Sequence, residues 1–475
     1  MTATAASTAV LDRIAEIVGP RGVITDAAEM APYLIDERKE FPGGRAAMIV
    51  RPASTEEVAK VVALCNETRT AIVPQGGNTS LSGASTPHSD GGEIILSVKR
   101  MNRVRSIDPL NFTITVEAGV VLADVQRAAA EADRLFPLSL GGEGTAVIGG
   151  NVSTNAGGTG VLRYGNAREL VLGLEVVLPD GRVWDGLSAL RKDNTGYDLK
   201  QLFIGAEGTL GIVTAVVLKL FPKPRDMQTA FVAVKDPQAA LELLARARAA
   251  SDDRVTAFEW VPRLPLDYVL KNVPGTRDPL PTRYDHYVLI ELTSAHDTGA
   301  LRQCLEGVLA DGMAKGLVLD GTIAESRTQA RAFWKIRETV PDAQKPEGVS
   351  IRHDVSVPVS SVPQFVERAD EAIRRAVPGI RICSFGHLGD GNVHYNLTQP
   401  IGADGAAYAA RHDEINRIVY GVALALKGSI SAEHGIGRLK RDVLSEVKPP
   451  VALDLMREIK RALDPNGIMN PGKVL

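Results

Sequence analysis

The chain has 475 residues, 44% of them hydrophobic, more than one ordinary core accommodates, so two or three domains are expected. A formal net charge of -3 and a pI near 6.3 exclude a global electrostatic pull toward nucleic acid or an anionic membrane. Cys65, Cys304 and Cys383 lie far apart with no CxxC pair. That excludes a four-cysteine zinc or iron–sulfur cluster carried by this chain alone and fits a reducing compartment. The first ten residues lack a basic start, Asp12, Arg13 and Glu16 interrupt the next stretch, and no apolar run nears the roughly 18 residues of a membrane helix. A cytoplasmic protein is expected, at most attached peripherally to the inner face of a membrane.

Taken in chain order, the first half alternates short strands and helices. Ser54 caps a helix over 55–68, with Glu56 and Glu57 at its positive end and Val58, Val61, Val62 and Cys65 as its apolar stripe. Residues 71–74 read as a buried strand, followed by strands at 93–99 and 113–117 and a helix at 122–132. Segments 170–178 and 212–220 are β-rich, and Pro222 and Pro224 mark a boundary, giving a first domain over 1–223. Strands follow at 229–234, 257–261, 286–292, 351–357 and 380–385, and helices at 237–250, 299–314, 328–340, 361–376 and 406–427. This order predicts an α+β second domain over 224–427, an antiparallel sheet covered by helices on one face. The turn-rich tail, 428–475, is expected to fold back over the first domain.

Two Gly-rich stretches carry chemistry. Pro74-Gln-Gly-Gly-Asn-Thr-Ser80 follows a strand, and Gly141-Gly-Glu-Gly-Thr145 leads into Ile148-Gly-Gly-Asn-Val-Ser-Thr-Asn-Ala-Gly-Gly158. Glycines bring backbone N–H groups close to a ligand, and the hydroxyls of Thr79, Ser80, Ser153 and Thr154 suit a pyrophosphate. Neither stretch is a GxGxxG fingerprint or a GxxxxGK[ST] loop. Further on, Asp390-Gly391 suits a two-residue hairpin turn, which would set His387 directly across from His394, with Asn396 on the same face. Such a pair is either half a divalent metal site or two histidines at a surface turn.

Four segments, Pro74-Gln-Gly-Gly-Asn-Thr-Ser, Ile148-Gly-Gly-Asn-Val-Ser-Thr-Asn-Ala-Gly-Gly, Lys192-Asp-Asn-Thr-Gly-Tyr-Asp-Leu and Glu207-Gly-Thr-Leu-Gly-Ile-Val, resemble the FAD-binding domain of the vanillyl-alcohol oxidase superfamily. His387-Leu-Gly-Asp-Gly-Asn, Ser431-Ala-Glu-His-Gly-Ile-Gly and a terminal Asn-Pro-Gly-Lys narrow the resemblance to its FAD-dependent D-2-hydroxy acid dehydrogenases. That subgroup holds D-2-hydroxyglutarate dehydrogenases, D-lactate dehydrogenases and the flavin subunit of glycolate oxidase. The resemblance spans residues 45 to 475.

It implies a two-part FAD-binding domain, a cap domain for substrate, and a C-terminal segment on the FAD domain. FAD would be held by Pro74, Gln75, Gly76, Gly77, Asn78, Thr79 and Ser80; by Gly142, Gly144, Thr145, Ile148, Gly149, Asn151, Ser153, Thr154, Asn155 and Gly158; and by Glu207, Gly211, Ile212, Val213 and Asn470. Some relatives attach flavin through a histidine where this chain has Asn78, and 142–158 holds no cysteine, so the FAD is expected to be non-covalent. His387, His394 and Glu433 would ligate a divalent metal, most often zinc, leaving a coordination position open as catalytic sites do. His434 would be the general base, taking the hydroxyl proton while hydride passes from C2 to flavin N5.

Arg337, in Phe333-Trp-Lys-Ile-Arg337, would clamp the substrate carboxylate in a fork, and Asn396 would assist. Arg352 stands where relatives acting on D-2-hydroxyglutarate usually carry lysine, and Pro341 where some carry a threonine that reaches substrate. A second cation favours a dicarboxylic acid; the alternative is that Arg352 bridges to Asp354 or another surface acid. The expected reaction is oxidation of D-2-hydroxyglutarate to 2-oxoglutarate, with electrons passed to a quinone or an electron-transfer flavoprotein. The alternatives are a D-lactate dehydrogenase or a glycolate oxidase flavin subunit that depends on an iron–sulfur partner. A homodimer is the expected assembly, and no nucleic-acid partner is expected.

Overall fold

A computed structural model of the chain describes residues 6–36 and 38–475. It divides into two compact units: the first comprises the residues up to Gly158 with Gly165–Lys223 and Glu433–Leu475, the second Thr159–Tyr164 with Pro224–Ala432.

In the first unit, Ser54-Thr-Glu-Glu57 forms a variant of the capping box, with Ala53 in place of Ser54 as the second donor. Ser54 Oγ accepts from Glu57 N (3.2 Å), and Glu57 Oε2 accepts from Ala53 N (2.7 Å), which starts the helix Thr55–Thr68. Its apolar stripe packs on a four-stranded sheet ordered Val23–Ile24, Met48–Val50, Ile94–Ser97, Ile72–Gln75, whose last three strands are parallel. A five-stranded antiparallel sheet is ordered Val104–Asp108, Thr113–Glu117, Ile212–Lys219, Val171–Val177, Val183–Gly186. The tail is less turn-rich than its sequence suggests, for Arg441–Val447 and Pro450–Leu463 are helices. Beyond them Met469 forms a parallel bridge to Ile72, and Ile72 N donates to Ile468 O (2.8 Å), so the tail extends the edge of the first sheet.

The second unit is built on an eight-stranded antiparallel sheet. Its strands are β1 Asp226–Val234, β2 Val255–Pro262, β3 His286–Ser294, β4 Val318–Ile323, β5 Ser350–Ile351, β6 Asp354–Ser356, β7 Arg381–His387 and β8 Asn392–Thr398. They run in the order β4-β1-β3-β2-β7-β8-β5, with β6 also on β8. One face packs its alternate residues, among them Phe231, Val261, Tyr287, Leu289 and Phe385, against Phe333, Ile336, Val340 and Leu266 from the helices Arg327–Glu338, Val340–Ala343 and Arg263–Asn272.

Two local expectations need correcting. The hairpin does not turn in two residues: β7 ends at His387 and β8 begins at Asn392, so Phe385, not His387, faces His394. The reason lies in the loop, where Gly389 packs so closely on Leu162 that an added Cβ would come within 2.8 Å of it, and Asp390 Oδ1 accepts from Asn392 N (3.0 Å). Asn392 is correspondingly a buried strand residue. Residues 406–427 form two helices, Gly405–Ala409 and His412–Ala425, the first capped by Asp404.

Candidate active site

Strand alternation sets the site on one sheet face of the second unit. His387 is two positions beyond Phe385, so His387 and His394 are diagonal neighbours on one face, with ring centroids 5.3 Å apart. Asn396 follows His394 on that face. β5 and β6 pair with β8 in a single register, Ser350 with Thr398 and Asp354 with His394, so Arg352 comes opposite Asn396. Sequence reasoning thus places His387, His394, Asn396 and Arg352 together, and Arg337 joins them from the helix Arg327–Glu338.

What it missed is the pair of carboxylates behind the histidines. Glu259 on β2 is the cross-strand partner of His387; its Oε1 lies 2.8 Å from His387 Nδ1 and its Oε2 accepts from Arg337 Nε at 2.7 Å. Burial pushes the Glu259 carboxyl up, but the charges of His387 and Arg337 and their hydrogen bonds outweigh it and hold the group below its ordinary range. Asp354 stands 3.7 Å from His394 Nδ1, an ion-pair distance rather than a hydrogen bond. Its Oδ1 accepts from Asn392 Nδ2 (2.9 Å) and its Oδ2 from Ala432 N (3.1 Å). A carboxylate at Nδ1 fixes an imidazole so that Nε2 carries the lone pair, the arrangement typical of metal-binding histidines. The donor set of this face therefore fits a divalent metal.

Arg337 is 6% exposed, lies with Cζ 4.9 Å over the Phe385 ring, and keeps Nη2 buried without a partner among the described residues. Since Nε is taken by Glu259, the Nη edge is what it offers to an anion. Asn396 Nδ2 is engaged, donating to Gln344 Oε1 (3.1 Å), whose Nε2 donates to Thr398 Oγ1 (2.9 Å). Arg352 is half-buried, and its charge bears on the neighbouring Cys383, whose thiol burial pushes up.

Glu433 and His434 belong to the first unit, where His434 Nε2 lies 3.9 Å from Glu433 Oε1. The loop that carries them is clamped from two sides. Ser82 Oγ donates toward His434 O (3.0 Å) and Gly435 O (3.3 Å), and the Glu207 carboxylate accepts from Ile436 N (2.7 Å) and Gly437 N (2.9 Å). Burial pushes the Glu207 carboxyl up to about 7 against these N–H groups. The Glu207 side chain, expected at the cofactor, is thus spent on the loop.

The Gly-rich loops of this unit lie side by side. A Cβ on Gly77 would come within 2.3 Å of Thr145 O, so only glycine permits the approach. Gly141 and Gly144 border open space, while Thr79, Ser80, Ser153, Thr154 and Asn155 are half-buried along the loops. Gln75 Oε1, Asn151 Oδ1 and Asn470 Oδ1 are buried with no partner among the described residues. Orphaned oxygens beside closely spaced backbone loops fit a nucleotide cofactor. Asn78 instead ties its amide to Pro32 O (3.0 Å) and Ile35 O (2.8 Å), and Asn470 Nδ2 donates to Ala84 O (3.0 Å) and Glu207 O (2.7 Å).

Comparison with known proteins agrees. Residues 46–186 match the FAD binding domain family and residues 223–474 the family of FAD linked oxidases, C-terminal domain. The mitochondrial D-2-hydroxyglutarate dehydrogenase of Arabidopsis thaliana is 39% identical over 465 residues, 97% of this chain and 80% of that protein. The zebrafish (Danio rerio) enzyme of the same name is 42% identical, covering 96% and 83%. D-2-hydroxyglutarate dehydrogenase of Stutzerimonas stutzeri (strain A1501) is 35% identical, covering 98% of both chains. In fold the chain is similar to p-cresol methylhydroxylase (TM-score 0.77, 18% identity, 98% and 97% covered) and to 4-ethylphenol oxidase from Gulosibacter chungangensis (0.75, 18%, 100% and 98%). It has the α+β fold of the vanillyl-alcohol oxidase type and binds FAD. The chain belongs to the FAD-dependent 2-hydroxy acid dehydrogenases, the family of the D-2-hydroxyglutarate dehydrogenases.

Proposed function

We propose that this chain oxidises D-2-hydroxyglutarate to 2-oxoglutarate with FAD and a divalent metal ion, zinc by its donor set, held by His387, His394 and Glu433. The observation that carries the substrate is a histidine pair accompanied by two arginines, Arg352 on the same sheet face and Arg337 from the helix Arg327–Glu338. A dicarboxylate meets both cations; lactate meets one. The chemistry FAD supplies when bound is acceptance of the electron pair leaving C2. The chemistry a metal supplies at the histidines is to bind substrate oxygens and make the hydroxyl more acidic.

The chain's own residues do the rest. Arg337, pinned through Nε, turns its Nη edge to the carboxylate next to C2, and Arg352 takes the distal one. Asn396, fixed by Gln344, limits the room around the substrate. His434 accepts the hydroxyl proton, as an imidazole titrating near neutral pH can. Ala432, held on Asp354, ties down the chain one residue before Glu433. The family relation and these cations support the substrate, and the three free cysteines support a reducing compartment such as the cytoplasm. We assign the electrons to a quinone or an electron-transfer flavoprotein, and the assembly to a homodimer.

The test is anaerobic mixing of the yellow protein with single acids. D-2-hydroxyglutarate should bleach the flavin, with D-lactate slower by one to two orders of magnitude in kcat/KM, since one charged hydrogen bond is worth about 1.5–3 kcal/mol. Bleaching by D-lactate at the same efficiency would overturn the substrate.

A further inference from the structure

We infer that Glu259 is a positioning residue, one that sets the His387 tautomer for metal binding and the Arg337 fork for the substrate carboxylate; this rests on the function proposed above. Glu259 sits mid-strand in Ala257-Phe-Glu-Trp-Val261, otherwise apolar, and is 1% exposed. Each of its oxygens serves a different side chain: Oε1 meets His387 Nδ1 at 2.8 Å and Oε2 meets Arg337 Nε at 2.7 Å.

A carboxylate ion-paired to a guanidinium only accepts, so the proton of the His387 contact belongs to Nδ1, and the basic lone pair to Nε2. The same carboxylate occupies the Nε edge of Arg337, and Phe385 beneath its plane stops it tilting. Nη2 is left buried and unmatched among the described residues, a donor held for an oxygen from elsewhere. One buried acid thereby orients the ligand and the anion clamp together. A pair kept for stability alone would need neither the histidine contact nor the orphaned donor, since apolar side chains fill such places as well.

Two measurements decide it. The first titrates FAD-loaded, metal-free protein with Zn2+ against a chromophoric chelator. Glu259→Gln should weaken Zn2+ binding by about 10–100-fold at unchanged flavin content, with partial rescue by Glu259→Asp. The Gln variant binding as tightly as wild type overturns the assignment. The second is nitrogen NMR of the 15N-histidine-labelled, metal-free wild type, with the His387 signals identified by their loss in His387→Gln. A protonated Nδ1 is expected, and a ring protonated on Nε2 alone overturns the assignment even if Glu259→Gln fails to fold. Should wild type itself bind no Zn2+, the metal in the proposed function fails, and the ring nitrogens alone judge Glu259.

Discussion

Arg337→Met removes the cation that Glu259 Oε2 meets at 2.7 Å, in a place too buried for water to replace it. In the wild type the ionised Glu259 sits below its ordinary value of 4.5, so it contributes stability above that pH, lost only as pH falls through the lower folded value. Without the guanidinium only His387 still opposes burial, and the largest cost arises when the carboxyl takes up a proton on folding. Holding it protonated at pH 7 against 4.5 costs about 2.5 pH units at 1.36 kcal/mol each, roughly 3.4 kcal/mol. At pH 5 the same group costs only about 0.8 kcal/mol. The larger figure falls in the range of about 3–5 kcal/mol for stripping one partner from a buried pair. The second unit, Thr159–Tyr164 with Pro224–Ala432, holds about 215 residues and on melting alone gains roughly 0.45 kcal/mol per kelvin of entropy. The variant should therefore lose up to about 8 °C in Tm at pH 7 and about 2 °C at pH 5. Calorimetry of the FAD-saturated proteins at both pH values reads this directly. An equal loss at both, or none at pH 7, would refute the pairing argument.

Four further outcomes are expected. Arg352→Met should cut kcat/KM for D-2-hydroxyglutarate by about 10–150-fold and leave D-lactate nearly unchanged, whereas equal loss on both removes the distal-carboxylate role. His434→Ala, with flavin and metal retained, should lose roughly 10²–10⁴ in kcat; near-normal turnover would remove the base. Dialysis against a strong chelator should abolish turnover but leave the flavin spectrum, with Zn2+ restoring activity, and full activity in metal-free protein would remove the metal. Acid precipitation should release all the flavin into the supernatant, because Asn78 stands where a covalent link would form and spends its amide on Pro32 O and Ile35 O.

How much of this was legible depends on which forces act locally. The helix Thr55–Thr68 was readable because its capping box and apolar stripe are written in consecutive residues. The helix Arg263–Asn272 was not, since Pro265 masks its period, and Pro450–Leu463 was hidden by a prolyl start and a stripe half left to solvent. His387, His394 and Asn396 were placed on one face correctly although the register was wrong. A shift of two residues preserves the face, whereas a shift of one would have reversed it. Glu259 lies 128 residues from His387, and no local pattern joins them. The one available signal was a lone acid inside an apolar strand, which demands a partner that the sequence does not name.

The interleaving of the two units has a consequence for synthesis. Residues 224–432 are contiguous and need only the short stretch Thr159–Tyr164 before them, so the second unit is complete before the last segment of the first has been made. The first unit waits. Its parallel sheet edge at Ile72 takes its last partner from Met469, and the loop gripped by Ser82 and Glu207 lies beyond residue 432. During translation its half-built edge stays unpaired through more than two hundred residues of growth, the interval in which a chaperone or the flavin itself would protect the nascent chain best.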